Sequence, residues 1–114
     1  MKLFIDCFEE IPYDGPTIKF TDPISNAKDQ LSSKLKTAKS CQMVCQKEEE
    51  CNYFTWIGNP TNPATSTCFL KSKKDGNGVD GGGTKYLNSN PNAKLTSKIM
   101  SGPKYCVVRK YNHF

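Results

Sequence analysis

The six cysteines of this 114-residue chain constrain its fold more than any other feature. An even and high cysteine count in a short chain is typical of disulfides formed in an oxidising compartment, rather than of catalytic or metal-binding thiols. Only 36% of the residues are hydrophobic, so cross-links would supply stability that a small core lacks. We therefore expect a single domain, 1–114, that is stapled by disulfides and secreted or extracellular.

The N-terminus does not read as a secretion signal, because residues 1–6 hold no apolar run of about seven residues. Since the cysteines nevertheless indicate export, we expect the chain to be a mature module cut from a longer secreted protein. No apolar stretch approaches the roughly 20 residues that span a bilayer, so we expect no membrane insertion.

The formal charge of +5 leaves two interpretations open. The lysines could simply keep a small domain soluble, or they could attract anionic partners such as sulfated glycans and acidic cell surfaces. Basic residues cluster at 71–74 and 109–110, without an arginine-rich or aromatic nucleic-acid motif beside them. We therefore expect no nucleic-acid partner.

One amphipathic helix is predicted over 38–49, with Thr37 as its N-cap. Residues at helical spacing form its buried face: Ala38, Cys41, Val44, Cys45 and Glu48. Cys41 and Cys45 each need a partner elsewhere, because an i,i+4 pair on a helix has poor disulfide geometry. Three glutamates at 48–50 lie at the unfavourable end of the helix dipole and should end the helix.

Short strands account for most of the remaining ordered sequence. They are predicted over residues 2–8, 17–20, 51–56, 68–71 and 104–111, while residues 24–36 stay ambiguous between a loop and a turn of helix. Turn residues at 58–63 join two of these strands into a hairpin. Residues 72–94 are rich in Gly and Asn, and we expect a flexible insertion that cannot pack. The pattern predicts an α+β fold in which one helix lies against an antiparallel sheet.

Catalysis and metal binding find little support in the sequence. His113 is the only histidine and lies where termini usually fray, which is a poor base for a catalytic pair. The cysteine spacing lacks the paired Cys-x-x-Cys of structural zinc sites, and residues 81–83 lack the Gly-Lys-Ser/Thr context of a phosphate loop. We expect no enzyme, no metal and no cofactor.

Four motifs, taken in order, resemble the PAN/apple domain. They are Ser40-Cys41-Gln42-x-x-Cys45, Cys51-x-x-Phe54-Thr55-Trp56, Cys68-x-Leu70-Lys71 and Ser101-Gly102-Pro103-Lys104-x-Cys106. The set is most similar to the apple modules of micronemal adhesins from apicomplexan parasites. The resemblance runs from Cys7 to Cys106, and it departs only at the insertion and in the stretch before the helix.

The resemblance implies a curved antiparallel sheet that cradles one helix. Six cysteines allow fifteen pairings, and the resemblance implies Cys7–Cys106, Cys41–Cys68 and Cys45–Cys51. It also implies a binding module: apple-like domains bind proteins or carbohydrates, and some micronemal members resemble galactose-binding lectins. The expected function is adhesion to host-cell carbohydrate, of galactose type or sulfated, or to a partner protein such as a cell-surface protein or a neighbouring module. The alternative is protein docking without sugar binding, as apple modules in plasma proteases do.

Candidate ligand residues come from the strands and from the basic cluster. They are Tyr53, Phe69, Lys71, Lys73, Lys74, Lys104 and Tyr105. An aromatic ring suits the apolar face of a sugar and polar groups suit its hydroxyls, although each residue could equally be a solvent-side residue without function. Phe54, Trp56 and Leu70 share the strand parity of Cys68 and are expected in the core.

Overall fold

The computed structural model describes residues 7–21, 28–76, 84–89 and 97–106. The elements follow the order β1 (Thr17–Ile18), β2 (Ser33–Lys34), α1 (Ala38–Lys47), β3 (Tyr53–Gly58), β4 (Thr67–Lys71), α2 (Thr84–Ser89) and β5 (Lys98–Pro103). A single 3-10 turn, Pro63–Thr65, lies between β3 and β4. The α+β class predicted from the sequence is confirmed.

The strands form one antiparallel sheet in the order β1-β4-β3-β5, and β2 also pairs with β4. β1 and β2 lie along the same edge of β4. β3 is central, since Phe54 lies opposite Leu70 of β4 on one side and Gly102 of β5 on the other. Glu9 adds a short bridge beyond β5, where its backbone exchanges hydrogen bonds of 2.7 and 2.8 Å with Ser101.

Helix α1 covers one face of the sheet and builds the main core. Phe54, Cys68 and Leu70 are completely buried beneath it, because strand alternation turns all three toward the helix. The N-cap is confirmed: Thr37 Oγ1 accepts a hydrogen bond from the Ser40 amide at 3.0 Å. The helix ends at Lys47, slightly earlier than predicted.

Three disulfides join these elements, and the pairing implied by the resemblance is confirmed. Cys41–Cys68 fastens α1 to β4, and Cys45–Cys51 fastens the last turn of α1 to the segment just before β3. All four of these cysteines are completely buried. Cys7–Cys106 links the two ends of the described chain, and both of its cysteines are partly exposed.

The opposite face of the sheet is covered as well, which the sequence reasoning did not anticipate. All five residues of β4 are buried. The segment before β1 lies over one end of this face, where the Tyr13 amide donates to Thr55 Oγ1 at 3.0 Å. At the other end Leu87 of α2 packs with Ile57, Phe69 and Ile99.

Two strand predictions were wrong in the part of the chain that the structure describes. Residues 7 and 8 are not in a strand, and residues 2–6 lie outside the described part of the chain. The last strand is Lys98–Pro103 rather than 104–111, of which residues 107–111 are likewise outside the description. The Ser-Gly-Pro run lies inside this strand. Gly102 is needed there because Phe8 and Phe54 leave no room for a side chain, and Pro103 is tolerated because it is the last residue of the strand and can lack an amide donor.

The predicted insertion also contains packed structure. Residues 84–89 form α2, and the side chain of Leu87 is only 5% exposed. Asp14 caps this helix, since its carboxylate accepts hydrogen bonds from the Thr84 amide at 2.8 Å and from the Thr84 hydroxyl at 3.0 Å. The expectation that the segment cannot pack was therefore wrong for α2, while residues 77–83 and 90–94 lie outside the described residues. In the ambiguous stretch at 24–36, the described part contains β2.

Replacing Gly102 with alanine should lower the free energy of unfolding by about 1 to 3 kcal/mol. The added Cβ would lie 2.9 Å from Phe8 Cδ1 and 3.2 Å from Phe54 Cε1, so these two rings would have to move. Urea unfolding measures the change. Lys98→Ala, at an exposed position of the same strand, is the matched control and should change stability by less than about 0.5 kcal/mol. Equal stability of the two variants would contradict the packing.

Removing the Cys7–Cys106 bond with a double serine variant should lower the free energy of unfolding by about 4 to 5 kcal/mol. This bond joins residues 99 positions apart, so it restricts the unfolded chain most. Urea unfolding without reductant gives the loss, and peptide mapping confirms that the other two bonds remain. A loss below about 1 kcal/mol would show that the bond does not act in this way.

Candidate ligand-binding surface

A cluster of aromatic and charged side chains lies at one corner of the face opposite α1. It consists of Glu9, Tyr13, Tyr53 and Lys74, and we call it the Tyr13 cluster. Tyr53 begins β3, Lys74 follows β4, and Glu9 pairs with β5. Tyr13 belongs to the segment that crosses the sheet before β1. Residues from four parts of the sequence thus meet because three neighbouring strands begin or end at this edge.

Tyr13 is the centre of the cluster, and only 3% of its surface is exposed. Its hydroxyl donates a short hydrogen bond to Glu9 Oε1. Lys74 Nζ lies 3.5 Å from the same carboxylate oxygen and 5.1 Å from the centre of the Tyr13 ring. The Tyr53 ring meets Tyr13 edge to face, with centroids 5.8 Å apart. The surface therefore presents an ion pair and one tyrosine ring, all supported by a buried second ring.

The backbone beneath the cluster is held by several hydrogen bonds. The Tyr13 amide donates to Thr55 Oγ1, which in turn lies 2.9 Å from Ser101 Oγ. The Gly15 amide donates to the Lys74 carbonyl at 3.1 Å, and a Cβ on Gly15 would lie 1.9 Å from the Lys73 carbonyl oxygen. Only glycine lets the two segments approach so closely. The cluster is therefore assembled in advance of any ligand.

The charges of the cluster are fixed near neutral pH. The Tyr13 hydroxyl, and to a lesser extent the Lys74 ammonium, stabilise the ionised carboxyl and lower the pKa of Glu9 below its usual range. Burial, together with the adjacent Glu9 carboxylate, raises the pKa of Tyr13 well above that of a free tyrosine. Glu9 is thus a carboxylate and Tyr13 a neutral donor, an arrangement that can bind hydroxyl groups.

The structure separates the candidate residues predicted from the sequence into several locations. Tyr53 and Lys74 lie in the Tyr13 cluster, and the exposed Lys73 precedes Lys74. Lys104 lies at the end of α1, where its Nζ donates to the Glu48 carbonyl at 2.8 Å. Tyr105 is 59% exposed.

The expectation of solvent-facing side chains was wrong for Phe69 and Lys71. Both follow the predicted alternation, but the face to which they point is covered. Phe69 is 4% exposed and packs against Leu87 of α2. Lys71 is 1% exposed, and its Nζ donates to the Gly15 carbonyl at 3.1 Å and to Thr17 Oγ1 at 2.7 Å. Lys71 thus fastens the segment before β1 to the sheet.

Sequence reasoning missed Glu9 and Tyr13. They lie in irregular backbone between the isolated bridge to β5 and β1, where neither strand nor helix periodicity applies. The available signal was an aromatic residue in a short run bounded by prolines at 12 and 16. Among the expected core residues, Phe54 and Leu70 are confirmed, whereas Trp56 is only partly buried.

A concave feature lies apart from the Tyr13 cluster, where α1 ends. A groove of about 620 Å³ is lined by Ile18, Lys19, Thr21, Glu48, Glu49 and Glu50. Glu48 is 3% exposed, and its carboxylate accepts hydrogen bonds from the amide and the hydroxyl of Thr21. This carboxylate therefore joins α1 to the segment after β1.

The described residues contain no group of three or more His, Cys, Asp or Glu side chains that could hold a metal ion. No helix in the described ranges is long and apolar enough to span a membrane.

Comparison with known families assigns the fold. A family model described as PAN domain matches residues 18–100. The chain belongs to the PAN domain family. PAN domains are binding modules for proteins or carbohydrates and are not enzymes, and three disulfides fit an extracellular member. No curated protein sequence matches this PAN domain. The matched range includes Tyr53 and Lys74, while Glu9 and Tyr13 precede it.

Replacing Tyr13 with phenylalanine should raise the pKa of Glu9 toward its ordinary value of 4.5, because the hydroxyl that donates to the carboxylate is lost. Lys74→Ala should raise it less. An NMR titration of the Glu9 carboxyl carbon measures both. Because the pKa of Glu9 is lowered in the folded protein, the ionised carboxylate stabilises the folded state at pH values above the ordinary pKa. This stabilisation is lost as the pH falls through the lowered pKa. A larger rise of the Glu9 pKa in the Lys74 variant than in the Tyr13 variant would contradict the conclusion that the Tyr13 hydroxyl is the main cause of the lowered pKa.

Proposed function

We propose that this PAN domain is an extracellular adhesive module that binds host-cell carbohydrate through the Tyr13 cluster. The observation that carries the proposal is the exposed Glu9–Lys74 ion pair beside the partly exposed Tyr53 ring. A carboxylate and an ammonium group offer an acceptor and donors for neighbouring sugar hydroxyls, and a tyrosine ring offers a flat apolar contact. The ligand would enter a preformed surface.

The charge balance of the cluster favours a neutral, galactose-type glycan over a sulfated one. Lys74 is paired with Glu9, so the site itself has little net charge. The excess of lysine elsewhere in the chain would attract sulfated glycans without fixing their orientation. Neutral sugar binding should therefore persist at high salt, whereas unspecific attraction should be screened.

The similarity of the motifs to micronemal apple modules supports the biological setting. On that basis we propose that the protein is secreted, through an organelle such as the microneme, and takes part in attachment to host cells. The module would act within a larger secreted protein, with neighbouring modules as further partners. It would carry out no catalysis and bind no nucleic acid.

Protein docking without sugar binding is the second candidate. It is favoured by three large apolar side chains that are at least half exposed: Ile11 at 50%, Met43 at 50% and Tyr105 at 59%. Exposed apolar and aromatic residues of this kind occur in the centres of protein interfaces.

A glycan array followed by calorimetry tests the proposal. The wild type should bind neutral galactosides at both low and high salt. Tyr53→Ala and Lys74→Ala should each weaken binding about ten-fold, which corresponds to about 1.4 kcal/mol. Lys47→Ala is the matched control, because it removes an exposed lysine from the last turn of α1, on the other face of the sheet, and it should leave the affinity unchanged.

Two results would contradict this site. An equal loss in the Lys74 and Lys47 variants would indicate unspecific charge attraction. A signal confined to sulfated glycans and abolished by salt would indicate the same. The absence of any glycan signal would leave protein docking as the function.

A further inference from the structure

We propose that Trp56 provides a second carbohydrate contact, on the face of the sheet opposite the Tyr13 cluster. Strand alternation turns Trp56 to the α1 side and Tyr53 to the other side. The inference rests on the proposed function only for the class of ligand, and its evidence is independent of the Tyr13 cluster. We call Trp56, Gly58 and the loop 59–66 the Trp56 platform.

The indole ring of Trp56 is fixed in orientation. Its Nε1 donates a hydrogen bond of 2.8 Å to the Leu35 carbonyl. The six-membered ring lies on Gly58, because a Cβ built there would be 2.1 Å from Cη2 and 2.5 Å from Cζ3 of the indole. Any other residue at position 58 would push the ring away. The side chain is therefore pinned at its edge and supported on one face.

The exposure of Trp56 sets it apart from the core beside it. Phe54, Cys68 and Leu70 point to the same face of the sheet and are completely buried, whereas Trp56 remains partly exposed. One face of its ring lies on Gly58, and the N–H edge is occupied by Leu35. The side chain also packs against the main core, and the part of it that the core, Gly58 and Leu35 do not cover is open to solvent. A rigid aromatic face that is reachable from solvent can stack on a sugar ring.

The loop that follows Gly58 carries uncharged polar groups at this end of the β3–β4 hairpin. Asn59 organises it: its side-chain oxygen accepts from the amides of Thr61 and Asn62 at 3.0 and 3.1 Å, and its side-chain nitrogen donates to Thr65 Oγ1 at 2.9 Å. Leu35 ties the loop to the indole, because its amide donates to the Ser66 carbonyl at 3.1 Å.

Thr61, Asn62 and Thr65 of this loop are exposed, and residues 58–66 include no Asp, Glu, Lys or Arg. A fixed aromatic face beside neutral hydroxyl and amide groups fits the apolar face and the hydroxyls of an uncharged pyranose. Charged groups flank the loop without belonging to it: Lys98 lies opposite Gly58 in the sheet, and Lys34 Nζ donates to Thr67 Oγ1 at 3.1 Å. The groups of the loop itself fit a neutral glycoside, which is the ligand class that we assign to the Trp56 platform.

Because Trp56 is the only tryptophan in the chain, its fluorescence reports on this platform alone. The unmodified protein is titrated with neutral methyl glycosides, beginning with the β-galactoside, while calorimetry follows total binding. We expect a saturable change in tryptophan emission. Trp56→Phe has no tryptophan emission, so calorimetry follows this variant, and its affinity at the platform should be about ten-fold weaker because the indole area and the fixed ring are lost. Circular dichroism verifies that the variant is folded.

The Tyr53→Ala variant separates the two surfaces, since it should leave the emission change intact while weakening binding at the Tyr13 cluster about ten-fold. Asn62→Ala provides a test that spares the ring, and it should weaken the emission response. If sugars bind by calorimetry but leave the emission of the unmodified protein unchanged, the Trp56 contact is refuted and the proposed function stands. If no neutral glycoside gives heat or an emission change, both are refuted.

Discussion

The fold depends on a central pair of strands that is buried from both sides. β4 is the critical strand, because none of its five residues reaches solvent to any appreciable extent. On one face a disulfide between Cys41 and Cys68 holds helix α1 against it. On the other face the ammonium group of Lys71 donates to Gly15 of the segment before β1 and to Thr17 of β1. In a chain with little apolar material, covalent and polar bonds fasten the two layers to the sheet.

Double coverage also determines where a ligand can bind. The middle of each face is closed, by α1 on one side and by α2 and the segment before β1 on the other. Partly exposed rings remain at the two ends of β3, with Tyr53 at its start on one face and Trp56 near its end on the other. A rigid sheet that leaves aromatic side chains only at its margins can present them to a ligand without rearrangement.

The sequence predicted one half of this architecture well. Helical spacing of Cys41 and Cys45, the Thr37 cap and the alternation of Phe54 with Cys68 and Leu70 identified α1 and the face it covers. These signals are periodic, so they can be read from a single chain. The disulfide pairing was different in kind, since it followed from the resemblance to apple domains and from nothing local.

The layer that covers the second face of the sheet could not be predicted from the sequence. This face is covered by irregular backbone around Tyr13 and by a helix that contributes one leucine, Leu87. Neither has a periodic pattern. Strand alternation correctly turned Phe69 and Lys71 away from α1, yet alternation specifies only direction and not what lies there. A residue can therefore point away from the core helix and still be completely enclosed.

Lys71 and Lys74 show why net charge is a poor guide to the binding surface. The two belong to the same basic run of sequence, but Lys71 is buried as a structural donor while Lys74 is partly exposed and paired with Glu9. Neither acts as a free positive charge at the Tyr13 cluster. The charge of +5 thus describes the whole molecule, whereas the Glu9–Lys74 pair describes the local site. Recognition at that site would depend on the geometry of hydrogen bonds and rings rather than on attraction of anions.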